Sequence, residues 1–274
     1  QQMAGTPYVC AIGTIVLFLS YYCFFCVGPP SCFGPIGEWC MYIVGALLMW
    51  FGANTLVVGV SMYLQTPGVF GKDRTTGHIP LWSRILHAPW HTLVRTMIWG
   101  KRRRVSRFNP PVPVLSHIKT TKFWLGGWPD NRTTSSMPEC PWDAIIDVTA
   151  EMPLQYTKVL KNNKYRSYPT VDATPVSIEY LNDAAEFAID HFDNKGKMIL
   201  VHCAFGIGRS SMTLCACMVA IGTVKTWQDA VPILQKSRSI VRINAVMQTR
   251  LNLWEEQWKQ RPSKKKSKGF FAKK

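Results

Sequence analysis

The sequence predicts an α/β protein in which helices cover the faces of a sheet and a transmembrane helical hairpin precedes that sheet. Short apolar runs predict four strands, at residues 122–125, 144–148, 165–168 and 197–201. Helix-like segments lie between the last two strands and after them. This alternation is typical of a sheet with helices on its faces. Two long uncharged stretches near the start of the chain indicate the hairpin.

The first 71 residues predict a membrane region. They contain one charged residue, Glu38, and within them residues 9–27 and 41–64 are uncharged runs of 19 and 24 residues. A helix rises about 1.5 Å per residue, so either run can cross a hydrocarbon core about 30 Å thick. Prolines and glycines between the runs end any helix there. Two helices of a soluble core would normally show a polar stripe, and these runs show none. We therefore expect two transmembrane helices joined by a short loop.

The net charge of +16 is concentrated in two segments. Residues 72–107 carry nine lysines and arginines against one aspartate, residues 259–274 carry eight and no acid, and residues 108–258 are close to neutral. Basic residues that follow a span mark its cytoplasmic side. The cluster at residues 101–104 therefore predicts a multi-pass membrane protein in which the domain at residues 108–258 faces the cytosol. We expect residues 72–107 to be a basic juxtamembrane segment and residues 259–274 to be a polybasic tail.

Both basic segments also carry apolar side chains, which favours a membrane surface as their partner. Residues 79–100 combine tryptophans and aliphatic residues with arginines and histidines. This pattern is typical of an interfacial helix, or of a helix pair broken near Pro89; the alternative is a linker helix packed on the following domain. The tail adds two phenylalanines to its lysines, which favours anionic lipid, although a solvated tail has the same composition. No groove-reading element accompanies the charge, so we expect no nucleic-acid partner.

The nine residues from His202 to Ser210 form the most specific motif of the chain. They read His-Cys-Ala-Phe-Gly-Ile-Gly-Arg-Ser and lie between a buried-strand pattern and a helix pattern. A strand, a glycine-containing loop and a helix N-terminus direct successive backbone N–H groups at one point, where the helix dipole also favours negative charge. The motif therefore predicts an anion site with a cysteine near its start and an arginine near its end.

Each side chain of this loop has a role in phosphate-ester chemistry. The anion site favours the thiolate of Cys203, which can attack phosphorus and form a cysteinyl-phosphate. The planar fork of Arg209 can bind two phosphate oxygens at once. Ser210 can donate a hydrogen bond to the departing sulfur, and His202 is expected to hold the loop through a ring N–H. Glycines let the backbone close around the anion. The residues assigned to phosphate binding are Ala204, Phe205, Gly206, Ile207, Gly208 and Arg209.

The loop resembles the signature of the cysteine-dependent protein tyrosine phosphatases, and it is most similar to their compact dual-specificity branch. Residues 124–127 are similar to the family's first strand and turn, residues 145–151 to its second strand, and residues 168–172 to the strand before its acid loop. The resemblance covers residues 121–258. It implies a phosphoric monoester hydrolase with a three-layer phosphatase fold, a central mixed sheet, a catalytic domain at residues 108–258, and no metal or other cofactor.

A general acid must protonate the leaving oxygen as the P–O bond breaks, and two aspartates are candidates. Asp130 follows Trp-Pro, which spells the acid motif of the larger tyrosine-specific phosphatases, but it precedes Cys203 by 73 residues. Asp172 precedes Cys203 by 31 residues, the shorter separation that the resemblance implies. We favour Asp172 as the acid and a turn for Asp130. The alternative role of Asp172 is to cap the following helix.

The resemblance implies a protein phosphatase with dual specificity for tyrosine and for serine or threonine, and the two apolar runs predict that it is anchored in a membrane. The alternative is a phosphatase for the monophosphate headgroup of a phospholipid, which suits a site held beside a membrane. The loop carries no lysine for additional phosphates, which disfavours polyphosphoinositides. A second alternative is an inactive phosphate-binding adaptor, which the intact cysteine, arginine and aspartate disfavour. Cys140 could also protect Cys203 through a reversible disulfide.

Overall fold

The computed structural model describes residues 6–22, 34–119, 121–130, 133, 142–154, 164–192 and 198–261. The α-helices are α1 (Thr6–Tyr22), α2 (Gly34–Leu64), α3 (Leu81–Leu86), α4 (Ala88–Val105), α5 (Ile178–His191), α6 (Arg209–Ala220), α7 (Trp227–Ser237) and α8 (Ala245–Gln260). The strands are β1 (Leu115–His117), β2 (Phe123–Gly126), β3 (Ala144–Asp147), β4 (Lys164–Ser167) and β5 (Ile199–His202). A 3-10 helix spans Pro67–Phe70. Cys140 and most of the predicted polybasic tail lie outside the described residues.

The five strands form one mixed sheet in the order β1-β2-β5-β3-β4. Strand β1 is antiparallel to β2, and the other neighbouring strands are parallel. The central strands β3 and β5 are buried along their whole length, so they appear in the sequence as continuous apolar runs. The predicted α/β class with a central mixed sheet is confirmed. Strand β1 was not predicted, because three residues are too few to show a period.

Alternate residues of the central strands enter two separate clusters. Ile146 and Val201 belong to the main core, which they share with residues of α5, α6, α7 and α8. Ile145 and Leu200 point to the opposite face and pack with Trp142 in a smaller cluster. Within the described ranges, helices therefore cover the first face, whereas strands and loops supply the cluster on the second.

Three helices after the second span begin at residues whose side chains cap them. Ser177, Thr226 and Asn244 each accept a hydrogen bond from the backbone N–H three residues later, in the first turns of α5, α7 and α8. Such a bond satisfies one of the N–H groups that a helix start leaves without a partner. Because Ser177 caps α5, the alternative role of Asp172 as the cap of that helix is wrong.

Helices α1 and α2 pack against each other through glycines. A Cβ atom on Gly13 would lie 2.8 Å from the backbone nitrogen of Leu56, and one on Gly52 would lie 2.9 Å from Cγ of Leu17. The two helices therefore approach closely at positions without side chains, as small residues allow between apolar helices.

One of these two helices is long and apolar enough to cross a membrane. In α2 this stretch is Trp39–Leu64, whereas the apolar part of α1, Pro7–Tyr22, is shorter. The predicted first span, residues 9–27, continues beyond α1 into residues that the structure does not describe. The second predicted span, residues 41–64, lies within α2. The hairpin in a bilayer remains a prediction.

The segment at residues 79–100 forms a helix pair, α3 and α4, with the break at His87. Pro89 lies in the first turn of α4, where its missing N–H costs no hydrogen bond. A single buried cluster joins α2 and α4 to the phosphatase-like domain; its members are Val58, Met62, Phe70, Trp90, Val94, Ile98, Trp128, Ala150, Met152, Val171 and Ala204. One face of α4 is therefore packed as the linker-helix alternative requires. The boundary predicted at residue 108 does not coincide with a boundary in the packing.

Candidate active site

The loop between β5 and α6 surrounds the sulfur of Cys203 with hydrogen-bond donors. The Sγ atom accepts hydrogen bonds from the backbone N–H of Gly206 and from Oγ of Ser210, both at 3.2 Å. Strand β5 ends at His202, and α6 begins at Arg209, so the strand, loop and helix order predicted from the sequence is present. Ser210 therefore has the contact with sulfur that was predicted for it.

Arg209 is buried and its guanidinium is held by two carboxylates. Its Nη1 and Nη2 atoms donate to the two oxygens of Glu151 at 3.1 and 2.8 Å, and Nη2 lies 2.9 Å from Oδ1 of Asp172. The Thr170 carbonyl also accepts a hydrogen bond from Nη1. Burial acts to lower the pKa of Arg209, but Glu151 and Asp172 outweigh it and raise the pKa above its ordinary value. The guanidinium therefore stays charged inside the domain.

Glu151 is a functional residue to which the sequence pattern assigned no role. It is the last residue of the segment at residues 145–151, which is part of the family resemblance, but its place in that motif does not indicate that it binds Arg209. The contact arises in the fold, because the chain after β3 brings Glu151 beside the start of α6. Its bidentate contact fixes the plane of the Arg209 guanidinium.

The two aspartates considered for the acid lie in different surroundings. Asp172 is 40% exposed, contacts Arg209 and lines the same cleft as Cys203. Asp130 forms an ion pair with Arg102 at 2.7 Å and accepts a hydrogen bond from the Thr133 backbone at 2.8 Å. Burial acts to raise the pKa of Asp130, but these hydrogen bonds and Arg102 lower it. The structure thus places Asp172 in the cleft lining and pairs Asp130 with Arg102 outside that lining. The roles of acid and of turn residue stay predictions.

His202 is fully buried at the end of β5. Its Nε2 atom lies 3.9 Å from Oδ1 of Asp147, the residue opposite it in the register of β3 and β5. Burial lowers the pKa of His202 to about 4, although Asp147 and a hydrogen bond with the Cys203 backbone act in the other direction. The ring is therefore neutral at pH 7. It lies behind the loop, as predicted for a residue that holds the loop and does not touch the substrate.

A buried lysine from the segment before α3 completes this inner network. Nζ of Lys72 donates to Oδ2 of Asp147 at 2.6 Å and to the carbonyl and hydroxyl of Thr149 at 2.8 Å each. Burial acts to raise the pKa of Asp147, but Lys72 and His202 lower it to about 2. The sequence did not indicate this pair, because the two residues are 75 positions apart.

Arg238 holds the outer side of the loop. It donates from Nε to the Gly206 carbonyl at 2.8 Å and from Nη2 to the Phe205 carbonyl at 3.0 Å. With these two carbonyls bound on the outside, the N–H of Gly206 points inward to the cysteine sulfur. Burial lowers the pKa of Arg238 to about 10, so it remains charged at neutral pH. No motif in the sequence had indicated this residue.

The two loop glycines differ in the reason for which a glycine is needed. Gly206 has φ of 69°, and a Cβ there would lie 2.4 Å from the carbonyl carbon of Gly126. At Gly208 φ is −111°, and a Cβ would lie 3.1 Å from the end of the Met247 side chain and 3.6 Å from the Arg242 carbonyl oxygen, which is an ordinary contact. Gly206 therefore avoids a clash with the backbone of β2, and Gly208 lies against a flexible methionine. The role of both glycines in closing the backbone around an anion stays a prediction.

A cleft of about 850 Å³ opens above Cys203. Its walls include the loop residues Phe205, Ile207, Gly208 and Arg209. Of the other predicted phosphate-binding residues, Ala204 is buried and its carbonyl accepts a hydrogen bond from the Trp128 backbone at 3.1 Å. The opposite wall comes from α4 and the residues after it, namely Met97, Gly100, Lys101, Arg104, Val105 and Phe108. Within the described ranges, no group of three or more His, Cys, Asp or Glu residues could hold a metal ion.

The catalytic half of the chain is similar to known phosphatases. The family described as "Dual specificity phosphatase, catalytic domain" matches residues 123–257. The chain is 25% identical over 147 residues to human dual specificity protein phosphatase 2, covering 54% of this chain and 44% of that protein. It is 30% identical over 115 residues to dual specificity protein phosphatase 1-A of Xenopus laevis, covering 42% of this chain and 30% of that protein. The chain therefore spans less than half the length of these curated relatives.

Solved structures that resemble this one cover a similar part of the chain. PTPMT1 in complex with PI(5)P has a TM-score of 0.47 and 19% sequence identity, covering 54% of this chain and 97% of that one. Tk-PTP in the active form has a TM-score of 0.46 and 20% identity, covering 53% of this chain and 98% of that one.

Proposed function

Because residues 123–257 of this chain form a dual specificity phosphatase catalytic domain, we propose that the chain hydrolyses phosphate monoesters through a cysteinyl-phosphate intermediate while anchored in a membrane. The observation that carries this proposal is the pairing of Cys203 with Arg209. The sulfur lies among inward donors, and Nε of Arg209 is a buried donor without a hydrogen-bond partner among the described residues. A phosphate oxygen would satisfy that donor.

In the first step, the Cys203 thiolate attacks the phosphorus of the bound monoester. An S–P bond forms while the bond from phosphorus to the ester oxygen breaks, and Asp172 gives its proton to the departing oxygen. Arg209 and the loop amides bind the non-bridging oxygens, where negative charge is concentrated in the transition state. Glu151 keeps the Arg209 fork in the plane that two of these oxygens require.

In the second step, water attacks the cysteinyl-phosphate. The ionised Asp172 takes a proton from the water, the O–P bond forms, and the S–P bond breaks to release inorganic phosphate. Ser210 donates its hydrogen bond to the sulfur as negative charge returns to it, which supports the thiolate as a leaving group. The enzyme is then in its starting state, with no cofactor consumed.

The test uses the full chain in a neutral detergent with p-nitrophenyl phosphate and a phosphotyrosine peptide as substrates. Cys203→Ser should abolish turnover, and rapid quenching of the parent protein should trap one phosphate per chain on Cys203. Asp172→Asn should lower kcat by about 100-fold, whereas Asp130→Asn should have a small effect. Loss of turnover with Asp130→Asn but not with Asp172→Asn would contradict the assignment of the acid.

The membrane anchor is supported by α2 and by the way in which α3 is attached to it. The Leu86 carbonyl at the end of α3 accepts hydrogen bonds from Nε1 of Trp50 at 3.0 Å and Nδ2 of Asn54 at 2.8 Å. Four of the six residues of α3 are large exposed apolar residues: Leu81, Trp82, Ile85 and Leu86. Such a face beside a membrane span suits the interfacial layer of a bilayer. In this arrangement the catalytic domain lies on the cytosolic side, where a reactive thiolate stays reduced.

Two substrate classes fit this chemistry. The curated relatives are protein phosphatases by name, which favours phosphoproteins carrying phosphotyrosine, phosphoserine or phosphothreonine. A phospholipid with a monophosphate headgroup is the second candidate, and cations on the α4 wall of the cleft favour it. The third possibility, an inactive phosphate-binding adaptor, is disfavoured because the nucleophile, the arginine and the acid line one cleft.

A further inference from the structure

Helix α4 presents different faces to the core and to the active-site cleft. Trp90, Val94 and Ile98 enter the buried cluster that also contains Ala204 of the loop. The cleft is lined instead by Met97, Gly100, Lys101, Arg104 and Val105. These positions are three and four residues apart, so they form one stripe along the helix. The stripe lies opposite the loop and forms a wall of the site from residues that precede the family match at residue 123.

Two cations of this stripe have no anionic partner within the part of the chain that the structure describes. Neither Lys101 nor Arg104 forms an ion pair there, whereas Arg102, between them, is paired with Asp130. Nζ of Lys101 lies 4.4 Å from the centre of the Phe205 ring in the loop. Lys101 lines the same cleft as Asp172 and Cys203. Burial lowers the pKa of Lys101, while the charges of Asp172 and Cys203 act to raise it.

The wall of the cleft on the other side from α4 is close to the C-terminal end of α2. Arg242, Asn244 and Met247 line that wall, and one turn later Nη2 of Arg250 lies 3.3 Å from Oε1 of Gln65, the residue after α2. Val58 and Met62, in the last two turns of α2, share a buried cluster with the loop residue Ala204. Both walls are therefore fixed to the end of α2, and the cleft is held near the bilayer surface if α2 spans the membrane.

The rim of the cleft also carries exposed apolar side chains. Met97 and Phe108 line the cleft and are 53% and 42% exposed. From the loop outward, the site thus offers a phosphate cradle, then two cations, and then apolar side chains. A phospholipid with a terminal phosphate has the same order of groups: a monoester, an anionic phosphodiester and acyl chains. A phosphopeptide with acidic neighbours would use the cations but has no apolar end.

We propose that Lys101 and Arg104 bind a second anionic group of the substrate, namely the phosphodiester of a membrane phospholipid whose headgroup ends in a phosphate monoester. This inference rests on the proposed function, because it assigns a substrate to the same cleft. It also revises the argument from the loop, which lacks lysines of its own. The cations for a second anion come from α4, which lies outside the loop.

The experiment compares Lys101→Met and Arg104→Met with the parent chain in neutral detergent micelles. One substrate is a short-chain glycerophospholipid with a terminal phosphate monoester, and the other is p-nitrophenyl phosphate, which has one anionic group. Each variant should lose about ten times more of its kcat/KM on the lipid than on p-nitrophenyl phosphate, as expected for one charge-assisted contact. Arg107→Met removes the same charge from the same segment at a residue outside the cleft lining, and it should leave the ratio unchanged.

Three outcomes would overturn the inference. Equal losses on both substrates would mean that the cations act on the thiolate and not on a second anion. A ratio that Arg107→Met changes as much as Lys101→Met would indicate a general charge effect. A larger loss on a phosphotyrosine peptide with acidic neighbours than on the lipid would assign the site to phosphoproteins.

A binding measurement separates this inference from the proposed function. In the Cys203→Ser background, Lys101→Met should weaken binding of the lipid about tenfold, whether or not the parent turns substrate over. Absence of turnover on every substrate, with the tenfold effect on binding intact, would contradict the proposed catalysis and leave the second-anion site standing. Turnover by the parent chain, with no effect of Lys101→Met on lipid binding, would support the proposed catalysis and contradict the second-anion site.

Discussion

At the scale of single residues, the site depends on side chains that hold the reactive groups and do not react themselves. Glu151 binds both terminal nitrogens of Arg209, and Arg238 binds two carbonyls of the loop. Both are buried or nearly so, and each leaves its partner with one orientation. The spacing of Cys203 and Arg209 in the sequence indicates the chemistry, whereas Glu151 and Arg238 hold Arg209 and the loop in position.

Replacing Glu151 with Gln should separate these two contributions. Gln keeps the size of the side chain but loses the charge that orients Arg209, and a displacement of about 1 Å in the fork can cost about 100-fold in kcat/KM. Turnover of p-nitrophenyl phosphate measures the effect. Glu179→Gln is the matched control, because the Glu179 side chain is 75% exposed and lies 4.0 Å from Arg74. Similar losses in both variants would contradict an orienting role for Glu151.

The contrast between the loop glycines gives a second test at this scale. Gly206→Ala combines a positive φ with a clash against the β2 backbone, so we expect a loss of about 2 kcal/mol in the free energy of unfolding and a distorted phosphate cradle. Gly208→Ala meets only a flexible methionine and should cost less than about 1 kcal/mol. Thermal unfolding and vanadate binding measure the two variants, and the reverse order would show that the conformation of Gly206 is not the determining factor.

At the scale of elements, α4 divides its basic residues among different tasks. Lys101 and Arg104 face the cleft, Arg102 pairs with Asp130, and the guanidinium carbon of Arg103 lies 4.0 Å from the centre of the Trp99 ring. In the sequence these residues appear as one run of charge, and a run of charge is commonly assigned to lipid headgroups as a whole. The helical period separates them, because successive residues point about 100° apart around the axis.

Helix α3 is the element for which a membrane contact can be tested directly. In vesicles that contain lipids brominated near the headgroup, the Trp82 ring should contribute to fluorescence quenching, because it is 57% exposed on the apolar face. Trp82→Phe should therefore reduce the quenched fraction. Trp258→Phe, which removes a half-buried tryptophan of α8, should not. Unchanged quenching in Trp82→Phe would place α3 away from the bilayer.

At the scale of the whole molecule, the catalytic domain is completed by residues that precede its family match. Lys72 reaches the buried Asp147 behind the loop, and α4 supplies a wall of the cleft. A hydrophobic cluster continues from the last turns of α2 to Ala204. The segment that precedes residue 108 is therefore part of the packed core, and a fragment that starts at residue 108 would lack the α4 wall of the cleft.

The Lys72–Asp147 pair tests this dependence. Lys72→Met leaves Asp147 buried without its cation, which should lower the free energy of unfolding by about 3 kcal/mol. Arg74→Met, two residues along the chain, breaks a pair with Asp183 in which the side chains are 43% and 47% exposed, and it should cost less than about 1 kcal/mol. Thermal unfolding of the full chain in detergent gives both values. Equal losses of unfolding free energy in the two variants would mean that the Lys72–Asp147 pair does not hold the segment before α3 to the catalytic domain.

The sequence by itself determined the reaction class, and its candidate nucleophile, arginine and acid are predictions from the same residues. The loop from His202 to Ser210 predicted the anion site, because strand, glycine and helix patterns are local and can be recognised within a few residues. The separation from Cys203 favoured Asp172 over Asp130, and the structure places Asp172 in the cleft. The apolar runs predicted the α/β class, and the family resemblance implied the central mixed sheet.

Only the tertiary structure decided which distant residues complete the site. Lys72, Glu151 and Arg238 act on groups 75, 58 and 32 residues away, and nothing local in a sequence records such a partner. Likewise, the basic run on α4 could lie on lipid, in solvent or in the cleft, since charge and period are the same in each case. Its position follows from packing: the apolar face of α4 is buried against the domain, and this places Lys101 and Arg104 opposite the loop.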